Sequence, residues 1–218
     1  MPLTLHFHPL SSYCHKVLIA LYENDTPFTP NIVNLQDEGE RNALLKLWPI
    51  GKFPVIEDHA RDWSIAESSI IIEYLDRHYP GRTRFLPEDR EEALRVRFAE
   101  RFFDFYVQDP MSKIVTDRIR PEGSNDHFGV EKARAELAAA YDAIEARLPR
   151  GMWPAGDAFT LADCAAAPAL FYADQLVPIE RPRTRAYLDR LLARPSMLRV
   201  RREAEPYWHM FPGRRRED

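Results

Sequence analysis

Leu3-Thr4-Leu5-His6-Phe7 alternates apolar and polar residues, the period-2 pattern of a strand with one better-buried face. From Ser12 to Glu23 the period lengthens. Cys14, Val17, Leu18 and Leu21 fall at helical spacing and predict one buried stripe. Residues 28–33 read as a second strand, entered through the turn residues Asn24, Asp25, Thr26 and Pro27. A short helix is predicted over 37–47. Pro54-Val55-Ile56 and Trp63-Ser64-Ile65 then give two short strands joined by a polar stretch. Ile70, Ile71, Tyr74 and Leu75 mark a helix ending near Pro80-Gly81.

The pattern changes after a charged, proline-containing connection at 81–88. Beyond it the sequence offers helices only. Residues 89–120 predict a long helix bent at Pro110, whose ring and missing N–H disrupt a backbone bond. Val130, Ala133, Leu137, Ala140, Tyr141, Ile144 and Leu148 form another helical stripe. The organisation expected is therefore an α/β unit over 1–80, a linker at 81–88 and an all-α unit over 89–218. In the second unit, Thr160 and Asp163 have the spacing of a capping box, flanked by Phe159 and Cys164 at staple positions. That assigns Cys164 to packing.

Composition narrows the classes. The chain has 218 residues, 45% of them apolar, and a net charge of −4. The length supports a sizeable core, and the charge gives no footprint for nucleic acid. Arg214, Arg215 and Arg216 are the one basic cluster, and Glu217 and Asp218 follow directly, as in a solvated tail. No segment reaches the ~20 apolar residues that span a bilayer. Two cysteines, Cys14 and Cys164, are too few for a disulfide framework, so a reducing cytoplasm is the expected setting. No metal site is expected.

Three segments carry candidate chemistry. Ser11-Ser12-Tyr13-Cys14 follows the first strand and opens the first helix, where backbone N–H groups and the helix dipole favour an anion. About forty residues later come Gly51-Lys52-Phe53-Pro54, and then Glu67-Ser68 at the start of another helix.

In this order, together with the 159–163 capping segment, these motifs resemble the cytosolic glutathione S-transferase family over nearly the whole chain. His8-Pro9-Leu10-Ser11, the following Val17-Leu18-Ile19-Ala20-Leu21, and Asp109-Pro110-Met111-Ser112-Lys113-Ile114-Val115 resemble the serine-type phi and related bacterial classes. The resemblance implies a thioredoxin-like unit with a mixed four-stranded sheet, followed by the all-helical unit. It also implies a homodimer and glutathione as co-substrate. Ser11 then becomes the catalytic hydroxyl, with Ser12 as a neighbouring hydroxyl or simply a cap. Phe53-Pro54 becomes a cis-proline turn whose Phe53 backbone pairs with the extended peptide. Glu67 and Ser68 hold the γ-glutamyl end.

Physical reasoning also leads to Ser11. A free thiol is mostly protonated near neutrality, and the thiolate is the nucleophile. Lowering a thiol pKa by about two units takes ~2.7 kcal/mol, within reach of one charge-assisted hydrogen bond and a helix end. Tyr13 is an alternative donor if the loop turns differently. Cys14 shares the apolar stripe, where thiols are inert, so a redox role is disfavoured.

One departure stands out. The phi pattern has a His-Lys pair that grips the glycine end, and Gly39 and Glu40 occupy the aligned positions here. Arg41 and Lys52 are the candidates to supply the missing charge. The electrophile pocket is expected between the two units, from Leu10, Tyr106, Met111 and Trp208, with Phe105, Gln108, Ser112, Met210 and Phe211 nearby. Its mixture suggests a small apolar electrophile. Two other readings keep the fold: a non-catalytic binding or scaffold protein, favoured by the acidic loop at 37–40, and a glutathione-dependent isomerase or thiol transferase, favoured by the Ser11-Ser12 pair.

Overall fold

The computed structural model describes residues 1–148, 156 and 158–212, so the arginine cluster at 214–216 lies outside the described residues. The first unit runs β1 (Leu3–Phe7), α1 (Ser12–Glu23), β2 (Thr29–Ile32), α2 (Glu38–Leu47), β3 (Val55–Asp58), β4 (Trp63–Ala66) and α3 (Ser68–His78). Its sheet has the order β2-β1-β3-β4. β1 pairs parallel with β2 and antiparallel with β3, and β4 closes the hairpin with β3. The expected mixed four-stranded sheet is present.

The helical unit contains α4 (Arg90–Phe102), a π-helical segment (Phe103–Gln108), α5 (Asp109–Asp117), α6 (His127–Arg147), α7 (Leu161–Asp174), α8 (Pro182–Leu192) and α9 (Pro195–Ala204), followed by a 3₁₀ turn (Glu205–Met210). The single bent helix expected over 89–120 is two helices joined by the π segment. Pro110 sits in the first turn of α5, where its missing N–H leaves the preceding turn without its usual α bond. The residues of the π segment therefore have a shifted register.

α1 departs most from its one-stripe pattern. Cys14 through Leu21 are all buried, including His15 at 0% and Lys16 at 1% exposure. The sheet covers one face, and α7 and α9 pack against the other, so the helix lies at the centre of a core shared by both units. The capping box holds α7 in place. The Thr160 N–H donates to Asp163 Oδ2 at 2.8 Å, and the Tyr187 hydroxyl to Asp163 Oδ1 at 2.7 Å. Leu161 N also donates to Phe85 O at 2.9 Å, which ties α7 to the connection after α3. Cys164 is fully buried, as the packing reading requires.

No helix among the described residues is long and apolar enough to cross a membrane.

Candidate active site

The turn between β1 and α1 is held from several sides. Ser11 N donates to His8 O at 3.0 Å, and Leu10 N to His8 Nδ1 at 3.2 Å. The Tyr172 hydroxyl donates to Leu10 O at 2.9 Å. Ser11 caps α1, its Oγ accepting from Cys14 N at 3.4 Å. Capping uses an oxygen lone pair and leaves the O–H free to donate. Ser12 is the first residue of α1 and is buried; the cap expected of it is made by Ser11 instead. The Cys14 thiol is fully buried, and burial pushes its pKa up to about 12. It stays a thiol at neutral pH, as the apolar stripe implied.

The Phe53–Pro54 bond is cis, as the resemblance implies. Phe53 lies just outside the β3 ladder, and its ring stacks on His8 with centroids 6.1 Å apart. Glu67 precedes α3 with φ 68°, in the left-handed region that non-glycine residues seldom occupy. This conformation directs the first turn of α3, with buried Ser68, toward the turn at Pro54.

These segments converge on one cavity of about 290 Å³. Tyr13, Trp48, Lys52, Phe53, Pro54, Glu67, Ser68, Ser69, Arg101, Asp104 and Phe105 line it. Five of the candidates read from sequence for the peptide site are among them: Lys52, Phe53, Pro54, Glu67 and Ser68. Arg41 is not, since its guanidinium donates to Leu35 O at 3.2 Å on the α2 side. Glu40 is also turned back, accepting from Asn34 N at 2.6 Å. Neither Ser11 nor Ser12 is among the lining residues; Ser11 caps α1 two residues before Tyr13, which lines the cavity. The Tyr13 hydroxyl is 3.4 Å from Asp109 Oδ1. Burial, with Asp104 and Asp109, holds its pKa well above the usual phenol range, so it is a neutral donor.

The four electrophile-pocket candidates do not meet in this cavity. Leu10 packs against the core, Met111 is buried and Tyr106 is exposed on the π segment. Trp208 stacks on Tyr172 and Phe211, with centroids 5.7 and 4.8 Å away. Phe105 does line the cavity, with the Arg101 guanidinium 5.2 Å from its ring.

Under the site lies a charge cluster that periodicity could not show. Lys16 Nζ donates to Ser69 Oγ at 3.0 Å and to Asp104 Oδ2 at 2.9 Å, and pairs with Glu100. Arg101 donates to Asp104 Oδ2 at 2.6 Å and to Ser69 Oγ at 2.5 Å. Burial opposes the Glu100 charge, but Arg101 and Lys16 outweigh it and hold the carboxyl at about 2. Asp104 is pushed up to about 6 by burial and by the Glu100 charge. The cluster joins α1, α3, α4 and the π segment, and its Ser69, Arg101 and Asp104 reach the cavity wall. A lysine inside an otherwise apolar helix stripe was the available sequence signal for it.

Comparisons with known proteins bear on the family and the fold. The glutathione S-transferase N-terminal domain model matches residues 5–83, and the C-terminal domain model matches 126–190. Glutathione S-transferase F6 of Arabidopsis thaliana is 30% identical over 203 residues, covering 88% of this chain and 96% of that protein. The glutathione S-transferase of Methylobacillus flagellatus, solved with glutathione bound, superposes with TM-score 0.81 at 25% identity over 91% of this chain and 98% of that one. A Methylobacterium radiotolerans glutathione S-transferase in complex with glutathione sulfonate gives TM-score 0.77 at 27% identity, covering 91% of this chain and 93% of that one. With two domain models matched in order and relatives aligned nearly end to end, the chain belongs to the glutathione S-transferase family.

Proposed function

We propose that this protein joins the glutathione thiolate to small apolar electrophiles, with the Ser11 hydroxyl stabilising the thiolate. The observation that carries this reading is the convergence of the cis Phe53–Pro54 turn, the Glu67–Ser68 start of α3 and the N-terminal turn of α1 on one cavity. Each part has a matching task. The backbone of Phe53 accepts the extended peptide as an added strand. The first N–H groups of α3 and the Ser68 hydroxyl take the γ-glutamyl carboxylate, while Glu67 takes its ammonium. Lys52 faces the glycine carboxylate. Ser11 sits at a helix N-terminus with its O–H uncommitted by capping, so it donates to the sulfur and favours the anion. Trp48, Phe53 and Phe105 give the cavity an apolar wall suited to an apolar electrophile.

A second assignment of the hydroxyl keeps the same reaction. Of the hydroxyl residues of the 11–14 segment, Tyr13 and not Ser11 is among those lining the cavity. We also propose that the protein works as a homodimer through its β4–α3–α4 side, where Trp63, Ile70, Leu94 and Phe98 are each more than half exposed.

Calorimetric titration with glutathione, followed by turnover of a chlorodinitrobenzene-type substrate, tests the reading. Ser11→Ala is expected to lower turnover at least tenfold. A folded protein that does not bind glutathione would instead be a binding or scaffold module. Unchanged turnover in Ser11→Ala, with loss in Tyr13→Phe, would move the hydroxyl to Tyr13.

A further inference from the structure

Asp104 and Asp109 stand five residues apart, at the two ends of the π segment. In an α-helix that spacing would turn the two side chains about 140° from each other. Here the Asp109 N–H donates to Asp104 O, the i→i+5 bond of a π turn, which brings both residues round toward one face. Asp104 lines the peptide cavity together with Tyr13, and the Tyr13 hydroxyl lies 3.4 Å from Asp109 Oδ1. Burial, and then the charges of Asp104 and Asp109, keep the phenol in its protonated form.

The contact decides where one hydrogen goes. A phenol has a single O–H, and a carboxylate can only accept, so the Tyr13 hydrogen is committed to Asp109. An oxygen in that state offers a thiolate only lone pairs. Ser11 is in the opposite condition, because capping α1 uses a lone pair and leaves its hydrogen free. Burial raises the Asp109 pKa, while Tyr13, Arg101 and Lys52 face the carboxylate and favour its ionised, accepting form.

We propose that Asp109 is a positioning residue that holds the Tyr13 hydroxyl hydrogen away from the bound sulfur and so leaves the thiolate to Ser11. The proposal rests on the reading that glutathione binds in this cavity with Ser11 as donor. It also gives the π segment a task. A regular α turn through 103–109 would carry the Asp109 carboxylate off the Tyr13 side of the helix, and the cavity would then hold a second hydroxyl donor.

The test follows the ultraviolet absorbance of the glutathione thiolate bound to the full chain as a function of pH. Ser11→Ala should raise the thiol pKa by about two. Adding Asp109→Ala releases the Tyr13 hydrogen and should bring the value back down by about one. Adding Tyr13→Phe to that double variant should abolish the recovery. Asp109 is exposed, so its replacement leaves the core intact, and melting temperatures serve as the folding control. No recovery in the double variant overturns the proposal. So does recovery that survives Tyr13→Phe, since it would come from removing a negative charge alone. Both results leave the Ser11 reading standing. An unchanged thiol pKa in Ser11→Ala, or no binding of glutathione by the wild type, would defeat that reading and the proposal with it.

Discussion

Lys16 Nζ lies 2.9 Å from Asp104 Oδ2 although both side chains are buried, and this contact joins the first helix of the α/β unit to the π segment of the helical unit. Ser69, next to Ser68 in the cavity wall, shares the same ammonium. The contact therefore fixes how α3 is presented to the site. Lys16→Met leaves Glu100 and Asp104 buried with only the Arg101 guanidinium, which is 44% exposed. Breaking a buried ion pair from one side strands a charge, so the expected loss is about 3 kcal/mol of unfolding free energy. Urea unfolding measures it. Adding Glu100→Gln to Lys16→Met should recover about 1 kcal/mol or more, because the stranded charge is removed as well. A loss too small to resolve in Lys16→Met would show that the cluster is not an ionic one.

Ser11 has two separable tasks, and they give different readouts. As the cap of α1 its loss should cost about 1 kcal/mol of stability. As donor to a bound sulfur its loss should raise the apparent pKa of the rate profile by about two, the shift its hydrogen bond and the helix end would supply. Rate against pH, measured for Ser11→Ala and Tyr13→Phe in parallel, separates them. A profile that moves only in Tyr13→Phe assigns the sulfur contact to Tyr13.

What could be read before the fold was known follows from where the relevant contacts lie along the chain. β1, α1, α2 and the β3–β4 hairpin are signalled by local periodicity, and the Thr160–Asp163 cap by a four-residue pattern. The full burial of α1 is not local, because α7 and α9, some 150 residues later, cover its second face. Lys16 was hidden for the same reason, since its partners Glu100 and Asp104 come from another unit. Trp48, Ser69, Arg101 and Asp104 reach the cavity through tertiary packing that no spacing encodes. Pro110 signalled a disruption, but a π segment and a simple bend look alike in sequence.

The glycine end of the peptide site gives a comparison between two cations. Lys52 lines the cavity, whereas Arg41 is engaged with Leu35 O on the outer side of α2. Lys52→Ala should weaken glutathione binding about tenfold, equivalent to ~1.4 kcal/mol for one charge contact in a partly hydrated site. Arg41→Ala should change it less than twofold. Glutathione with its glycine carboxylate esterified should bind wild type and Lys52→Ala alike, because the group Lys52 recognises is gone. Calorimetry with both ligands decides. A larger effect from Arg41→Ala would mean that α2 rearranges to bring the guanidinium to the ligand.

Asp163 makes stability depend on pH in a direction opposite to that of a carboxylate whose folded pKa is lowered by a cation. It is fully buried, and burial pushes its pKa up to about 6 despite hydrogen bonds from Tyr187 and Thr160. The folded value lies above the unfolded one, so folding takes up a proton. The stabilisation is complete below the unfolded carboxylate pKa and is lost as pH rises through the folded value. Between pH 5 and pH 7 this group should lower the unfolding free energy by about 1 kcal/mol. Asp104, raised in the same direction, adds to the wild-type slope, so the informative quantity is the difference between proteins. Asp163→Asn cannot titrate, and its loss of stability from pH 5 to pH 7 should be smaller than that of wild type by the same ~1 kcal/mol. At both pH values the variant should be the less stable protein, because an amide cannot accept from Thr160 N and Tyr187 Oη as the carboxylate does. Parallel pH dependence in the two proteins, followed by urea midpoints, would show that Asp163 is already ionised across this range and that Tyr187 and Thr160 outweigh its burial.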